Sequence, residues 1–449
     1  MPTTVMWFRR DLRLGDHPAL LAAAEQGDVV PLFVLDDALW TPAGVPRQQF
    51  LLQSLRALDT DLREHGPGLV VRRGRPEEVV AAVVEEAGAC AVHISEDFGP
   101  YGHARDDRVR DALGEDVPLV ATGSPYAVSP GRVTTQQGET YKVFTPFSRA
   151  WAEHGWRAPA ESDPSQVTWR SVRSEDLPKE PQGDADLPEA GEEAALQRWR
   201  DFLDEREHYD DERDQLGKQS TSGMSPYLRW GAIHPRTLLA DLGPDDASLR
   251  SEIAWREFYA AALWAWPHAA REYLKPEYAR MPYVTGNKRK ARFEAWCEGR
   301  TGFPVVDAAM RELLATGLMH NRARMVVASF LVKDLKIEWT WGARHFMRHL
   351  VDGDLASNQL NWQWVGGSGL DAAPYFRIFN PTKQGEKFDP DGHYVRRWVP
   401  ELADVEGRAV HTPWTLSTGV PEGYPEPIVD HKAERESALE AYQELRTPR

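Results

Sequence analysis

The stretch VMWFRRDLRLGDHPALLAAAEQGDVVPLFVL, residues 5–35, decides the fold of the first part of this chain. Residues 5–8 and 29–35 are short, apolar and β-branched, the composition of strands buried on both faces. Residues 18–25 between them begin at Pro18 and continue in alanine and leucine, which favour a helix. The alternation continues outward: residues 69–72 and 91–94 have strand composition, and residues 48–65 and 77–87 have helical composition. Strands alternating with helices predict a parallel sheet covered by helices, hence an α/β domain over residues 1–125. The turn after the first strand reads FRRDLRLGDH, with charges where a dinucleotide-binding GxGxxG turn needs glycines. The domain is therefore Rossmann-like without a dinucleotide fingerprint.

From about Ser124 the rhythm dissolves into proline, glycine, serine and acidic residues, through APAESDPSQ and LPKEPQGDADLPEAGEE. Residues 126–190 are expected to be an interdomain linker with some ordered stretches. From Gly191 onward strand composition disappears. Leu196, Trp199, Phe202 and Leu203 begin a run of amphipathic helices, so residues 191–449 are expected to form an all-α domain. There is no internal repeat.

Composition bounds the function. At 449 residues the chain exceeds what one core usually serves, and 41% apolar with 27% charged residues is ordinary for a globular protein. No apolar run reaches bilayer length, and MPTTVMWFRRDLRL meets arginines too early for a secretory signal. Two cysteines, Cys90 and Cys297, cannot build a disulfide framework, and a reducing cytoplasm is expected. The net charge of −16 argues globally against a nucleic-acid partner, although local basic clusters such as Lys288, Arg289, Lys290 and Arg292 can still hold phosphate.

Residues 348–387 carry the chemistry: Asp352, Asp354, Asn358, Trp362 and Trp364 crowd one short span. Buried carboxylates and amides are costly unless something satisfies them, and a planar polar ligand does so. We read that ligand as a flavin bound in the helical half. The near-match Gly367-Ser-Gly369-Leu-Asp-Ala372 follows a Trp-rich segment instead of a strand and is discounted.

Three further clusters fit this reading. In Lys218–Leu228 (KQSTSGMSPYL), Ser225 reads as an N-cap and Pro226 as a first helical residue, with Thr221 and Ser222 suited to a pyrophosphate; simple capping is the alternative. Glu252, Trp255 and Arg256 share a helix face at i, i+3 and i+4, resembling a surface for stacking on and bonding to a base, or a plain amphipathic helix with Trp255 in the core. Asn321, Arg324 and Met325 share a face by the same spacing. Arg324 is placed to pair with Asp352 or Asp354, while Arg322 points elsewhere, towards a phosphate. His345 and His349 lack a third ligand, so no metal is expected. Most of the seventeen tryptophans must be packing, but a file of indoles from a cofactor to the surface would carry single electrons.

The ordered motifs WFRRDLRLGDHPAL, IAWREFY, TGFPVVDAAMREL, MHNRARMVVASFLVKDL, DGDLASN, WQW, DAAPYFRIFNPTKQGEKFD and YPEPIVDHK resemble the photolyase/cryptochrome family, specifically its class I microbial cyclobutane pyrimidine dimer photolyases. The resemblance implies FAD, working as FADH⁻. It gives Tyr209, Thr221, Ser222, Met224 and Ser225 to an adenine and phosphate cradle. Arg256, Arg324, Asp352, Asp354 and Asn358 fall around the cofactor. Glu252, Trp255, Asn321, Met325 and Trp364 fall to a pocket for a flipped-out dimer, and Arg213 and Arg322 to flanking phosphate. Glu252, Asn321, Met325 and Asn358 are the implied catalytic residues. Trp362 and Trp339 match the inner and middle members of an electron-transfer file; its third position departs from the family pattern, and Tyr283 is the substitute we expect.

The implied partner is UV-damaged DNA, single- or double-stranded, met by a monomer. The implied reaction is light-driven electron donation that splits the dimer. Phe33, Arg47 and Asp97 match an antenna site for a deazaflavin (8-HDF), with folate (MTHF) the competitor. Two other readings stay open. One is a cryptochrome-type blue-light receptor; the other is a flavin electron-transfer protein, which leaves the WREF and HNRARM faces unexplained.

Overall fold

The computed structural model describes residues 2–218, 220–371 and 377–446. Residues 372–376, near the start of the DAAPYFRIFNPTKQGEKFD motif, lie outside the described residues, as do Met1, Gln219 and the last three positions.

Five parallel strands form the sheet: β1 (Thr3–Phe8), β2 (Asp28–Leu35), β3 (Val70–Arg73), β4 (Ala89–Ile94) and β5 (Leu119–Ala121), in the order β3-β2-β1-β4-β5. Val5 lies opposite Val30 on one side and Val92 on the other, and every residue of β1 is buried. Helices cover both faces, which is why β1 and β2 are almost continuously apolar instead of alternating. β5 was not anticipated; at three residues, none of them buried, its apolar signal is too short to read.

The strand order reverses between β1 and β4, and crevices outside the carboxyl ends of strands form at such switch points. The loop after β1 supplies Arg9, Arg10 and Asp11 there. Arg9 is spent inside the domain, on Asp106 at 2.6 Å. Arg10 instead extends out of the domain to Asp354 of the helical half.

Residues 126–190 are packed along both halves. The helix Phe144–His154 buries Phe144, Phe147 and Trp151. Trp169 bridges to Val29 in parallel, and the Glu175 amide donates to the Val71 carbonyl at 2.8 Å. Glu257, on the helix Ala247–Ala265, accepts from the Ala127 amide (2.5 Å), the Val128 amide (3.0 Å) and the Trp151 indole N–H (2.6 Å). Burial pushes its carboxyl up to about 7, against the pull of those donors.

From residue 191 onward the described residues are helices and turns without a strand. One hydrophobic core runs from Phe8 and Phe33 of the sheet to Trp230 and Phe258 of the helical half, and a second gathers Trp296, Trp339 and Trp362. At the seam the Leu12 amide donates to the Trp230 carbonyl at 3.2 Å, and Arg236 meets Asp16 at 2.5 Å. Gly231 there has φ +71°, and a Cβ on it would fall 2.0 Å from the Arg10 carbonyl oxygen, so only glycine allows this approach. No helix among the described residues is long and apolar enough to cross a membrane.

Candidate functional site

A cavity of about 1370 Å³ opens in the helical half. That is larger than the roughly 300–1,000 Å³ of typical small-ligand pockets. Glu252, Trp255 and Arg256 line it from the helix Ala247–Ala265, and Asn321, Arg324 and Met325 from the helix Asn321–Ser329, so both faces inferred from spacing meet in one space. Tyr209, Arg213, Thr221, Ser222, Met224, Ser225, Arg322, Asp352, Asp354 and Trp364 also line it.

Two carboxylates organise the wall. Asp352 Oδ2 accepts from Arg324 Nη2 and from the Ser225 hydroxyl, each at 2.7 Å, while its Oδ1 is buried without a hydrogen-bond partner among the described residues. Asp354 caps the helix Leu355–Gly366, accepting the Ser357 amide at 3.0 Å through Oδ1, and pairs with Arg10 Nη2 at 2.7 Å through Oδ2. Burial pushes the Asp354 carboxyl up, but Arg10, Arg256 and Arg229 outweigh it and hold it well below the usual carboxylate range. Arg10 comes from the α/β half and was missed in the sequence; so was Arg229, which lines the cavity and whose Nη1 is buried without a hydrogen-bond partner among the described residues.

Ser225 is not the N-cap. Met224 already has helical angles, φ −77° and ψ −10°, and takes that position, leaving the Ser225 hydroxyl free for Asp352. The neighbouring loop is held by Arg198, which donates to the Thr221 carbonyl at 2.8 Å and the Ser222 carbonyl at 3.0 Å. Arg256 donates to the carbonyls of Pro125 (2.9 Å) and Leu228 (3.1 Å). A large, mixed-polarity ligand with anionic groups fits this lining. The unpartnered Asp352 oxygen suits a ligand's donor edge, and the unpartnered Arg229 nitrogen suits an anionic group. These groups suit FAD, whose reduced ring and pyrophosphate are anionic.

Asn358 stands behind the wall and is not among the residues lining the cavity. Its amide donates to the Ala343 carbonyl at 3.1 Å and to Gln359 Oε1 at 2.7 Å.

At the mouth, Arg213 Nη2 bonds Glu252 Oε1 at 2.5 Å and its guanidinium sits over the Tyr209 ring. Arg322 does not point away from the other faces as expected. It lines the same cavity, gripping Asp214 through Nη2 at 2.6 Å and Nε at 3.3 Å, with Nη1 3.8 Å from the Met325 sulfur. Trp255 stacks on Phe144 with centroids 3.6 Å apart, and the Trp364 indole donates to the Asp371 carbonyl at 3.0 Å.

Trp362 and Trp339 are buried on adjacent helices, Leu355–Gly366 and Trp339–His349. A Cβ on Gly342 would come within 2.1 Å of the Trp362 ring, so this glycine lets the two helices seat together. Trp339 makes an edge contact with Tyr273 at 6.0 Å, and the Tyr273 hydroxyl donates to that of Tyr283 at 2.8 Å. Tyr283 thus reaches the indole through Tyr273, a residue that sequence reasoning overlooked. His345 and His349 pack ring on ring at 4.5 Å, and no three His, Cys, Asp or Glu side chains gather as metal ligands among the described residues.

Of the residues matched to an antenna site, Asp97 lies just past β4 at the switch point, bonded to the Gly99 amide at 3.0 Å and to Arg105 at 3.3 Å, with Arg10 at 4.0 Å. Phe33 is buried in β2. Arg47 turns to the helical half and donates to the Met347 carbonyl at 3.0 Å.

Comparison with known proteins adds to this geometry. Residues 4–165 match a family described as DNA photolyase, and residues 248–444 one described as the FAD binding domain of DNA photolyase. A deoxyribodipyrimidine photo-lyase of Streptomyces griseus is 41% identical, over 96% of this chain and 97% of its own length. A solved class III photolyase from Agrobacterium tumefaciens superposes with a TM-score of 0.90 at 38% identity, covering 99% and 98% of the two chains. A Synechocystis cryptochrome superposes with a TM-score of 0.91 at 29% identity, covering 98% and 99%.

Proposed function

This chain belongs to the photolyase/cryptochrome family, and from that membership we propose how its cavity repairs DNA. It is a light-driven DNA-repair flavoenzyme with the activity of a deoxyribodipyrimidine photo-lyase, acting on ultraviolet-damaged DNA. The photo-lyase of Streptomyces griseus stands at 41% identity against 29% for the cryptochrome, so a sensor is the weaker reading.

The lesion we propose is the cyclobutane pyrimidine dimer. Bound FAD in its reduced state supplies one light-excited electron to the ring and takes it back after the ring splits, with no net redox change. The protein's part is binding and electrostatics. Photolyases are among the enzymes that act on extruded bases, and a damaged, poorly stacked step lowers the cost of extrusion. Trp255 and Trp364 wall the cavity that receives the dimer, with Met325 and Asn321 beside it. Glu252 accepts from the pyrimidine imide N–H and, with a proton on its other oxygen, donates to the neighbouring carbonyl, which stabilises the transient negative charge there. Arg213 and Arg322 take the flanking phosphates and fix register. Arg324 and Arg229 oppose negative charge on the cofactor, and Asp352 accepts from its donor edge.

One observation carries this reading: Glu252, Trp255, Asn321, Met325 and Trp364 line the same cavity as Asp352 and Arg324. On this assignment lesion and cofactor share one space. The motif order supports assignment to class I, while the similarity to a class III enzyme bears against it. We further propose a monomer working in the cytoplasm, with a deazaflavin antenna, in preference to folate, at the switch point near Asp97.

Two oligonucleotides test the lesion, one carrying a cyclobutane dimer and one a (6-4) photoproduct. Each is illuminated with the FAD-loaded protein and resolved by chromatography. Restoration of the first alone is expected, and restoration of the (6-4) lesion would overturn the assignment. The absorption spectrum of the protein with each candidate antenna added decides between deazaflavin and folate.

A further inference from the structure

Arg213 and Glu252 hold each other at the cavity mouth, Nη2 to Oε1 at 2.5 Å, with side chains 28% and 40% exposed. They belong to different elements. Arg213 follows the turn Tyr209–Glu212, whereas Glu252 shares its helix face with Trp255 and Arg256. The function proposed above gives each a different partner in the DNA complex: phosphate for Arg213, the base edge for Glu252. A carboxylate that swings to accept from the imide N–H of an everted pyrimidine gives up the guanidinium, so the pair opens as both contacts form. A half-exposed pair is weakly held, which makes such an exchange cheap.

We propose that the Arg213–Glu252 pair makes the phosphate clamp conditional on base eversion, so that the pair itself sets discrimination between damaged and intact DNA. This rests on the assignment of Arg213 to phosphate and Glu252 to the lesion. Intact duplex offers phosphates but no base in the cavity, and meets an Arg213 already neutralised by Glu252. An everted dimer draws Glu252 to the imide N–H of its base edge and releases Arg213 to the backbone. Pocket occupancy thereby adds one cation to the phosphate contact. In a chain of net charge −16, keeping that cation masked also limits idle binding to other polyanions.

The test uses the FAD-loaded full chain, in the dark, with fluorescence anisotropy on two labelled duplexes, one intact and one carrying a single cyclobutane dimer. Glu252→Gln keeps the shape and frees Arg213. Intact DNA is expected to bind about 2- to 5-fold more tightly, the worth of an exposed ion pair. Its log K against log salt slope should steepen by about one unit, as for one added phosphate contact. Dimer DNA gains less, so discrimination falls. In an Arg213→Ala background the same substitution should leave intact-DNA binding unchanged. Equal strengthening of both duplexes, or an effect that persists without Arg213, would be a general charge effect and would overturn the exchange. Arg213→Ala leaving the affinity and salt slope for dimer DNA unchanged would instead overturn the phosphate assignment beneath it.

Discussion

Arg10 Nη2 donates to Asp354 Oδ2 at 2.7 Å, joining residues 344 positions apart and on opposite sides of the domain seam. The α/β half thus supplies a charge to the wall of the cofactor cavity. Arg10→Met would leave a mostly buried carboxylate without this partner. We expect a loss of about 2–4 kcal/mol, between the worth of a surface pair and that of a fully buried one. The pH dependence has a definite sign. Asp354 is held below its ordinary range, so its contribution is present above the unfolded carboxyl value near ~4 and fades as pH falls below it. Denaturant titrations at pH 7 and pH 3 should show the gap between wild type and variant shrinking in acid.

Arg324 and Asp352 form the second pair, a partly exposed guanidinium on a buried carboxylate, and Asp352 also takes the Ser225 hydroxyl. Arg324→Met removes a positive charge from the cavity and leaves Asp352 with Ser225 alone. FAD should dissociate about tenfold more readily or worse, from the loss of about 1.5–3 kcal/mol of charged hydrogen bonding. Fluorescence of FAD released on dilution reads this directly; unchanged retention would remove Arg324 from the cofactor site.

Glu252→Ala is expected to lower the quantum yield of repair more than the affinity for dimer DNA. Losing one hydrogen bond to developing charge is worth about 1.5–3 kcal/mol at most, and a several-fold loss in yield is the expected scale. Equal yields at saturating lesion would exclude the electrostatic role.

Trp339 touches Tyr273, which is hydrogen-bonded to Tyr283. Photoreduction of oxidised flavin is therefore expected to end on a tyrosine. Flash photolysis should show a tyrosyl signal that Tyr283→Phe diminishes and that Tyr273→Phe combined with Tyr283→Phe abolishes, leaving repair by pre-reduced protein unchanged. An identical transient spectrum in the double variant would remove both residues from the route.

The sheet was legible because β1, β2 and β4 are almost wholly buried and read as apolar runs, with Val70 and Val71 marking β3. The two cavity faces were legible because helical spacing places Glu252 with Trp255 and Arg256, and Asn321 with Arg324 and Met325. Contacts between distant segments left no local trace. Nothing around Arg10 announces Asp354, and nothing around Tyr273 announces Tyr283 or Trp339. The choice of Asp352 over Asp354 for Arg324 was equally invisible, since Arg10 already occupies the other carboxylate. Ser225 was misplaced by one position because serine before proline is a strong capping signal, yet its hydroxyl is spent on Asp352. Arg47, matched with Phe33 and Asp97 to an antenna site, reaches across the seam to the Met347 carbonyl.

The most direct measurement mixes the reduced, FAD-loaded protein with UV-irradiated oligothymidylate and follows absorbance at 260 nm under blue light. The account predicts that absorbance recovers as dimers revert to thymines, and only while the light is on. A flavin-loaded protein that binds this DNA yet leaves its absorbance flat through prolonged illumination would contradict it.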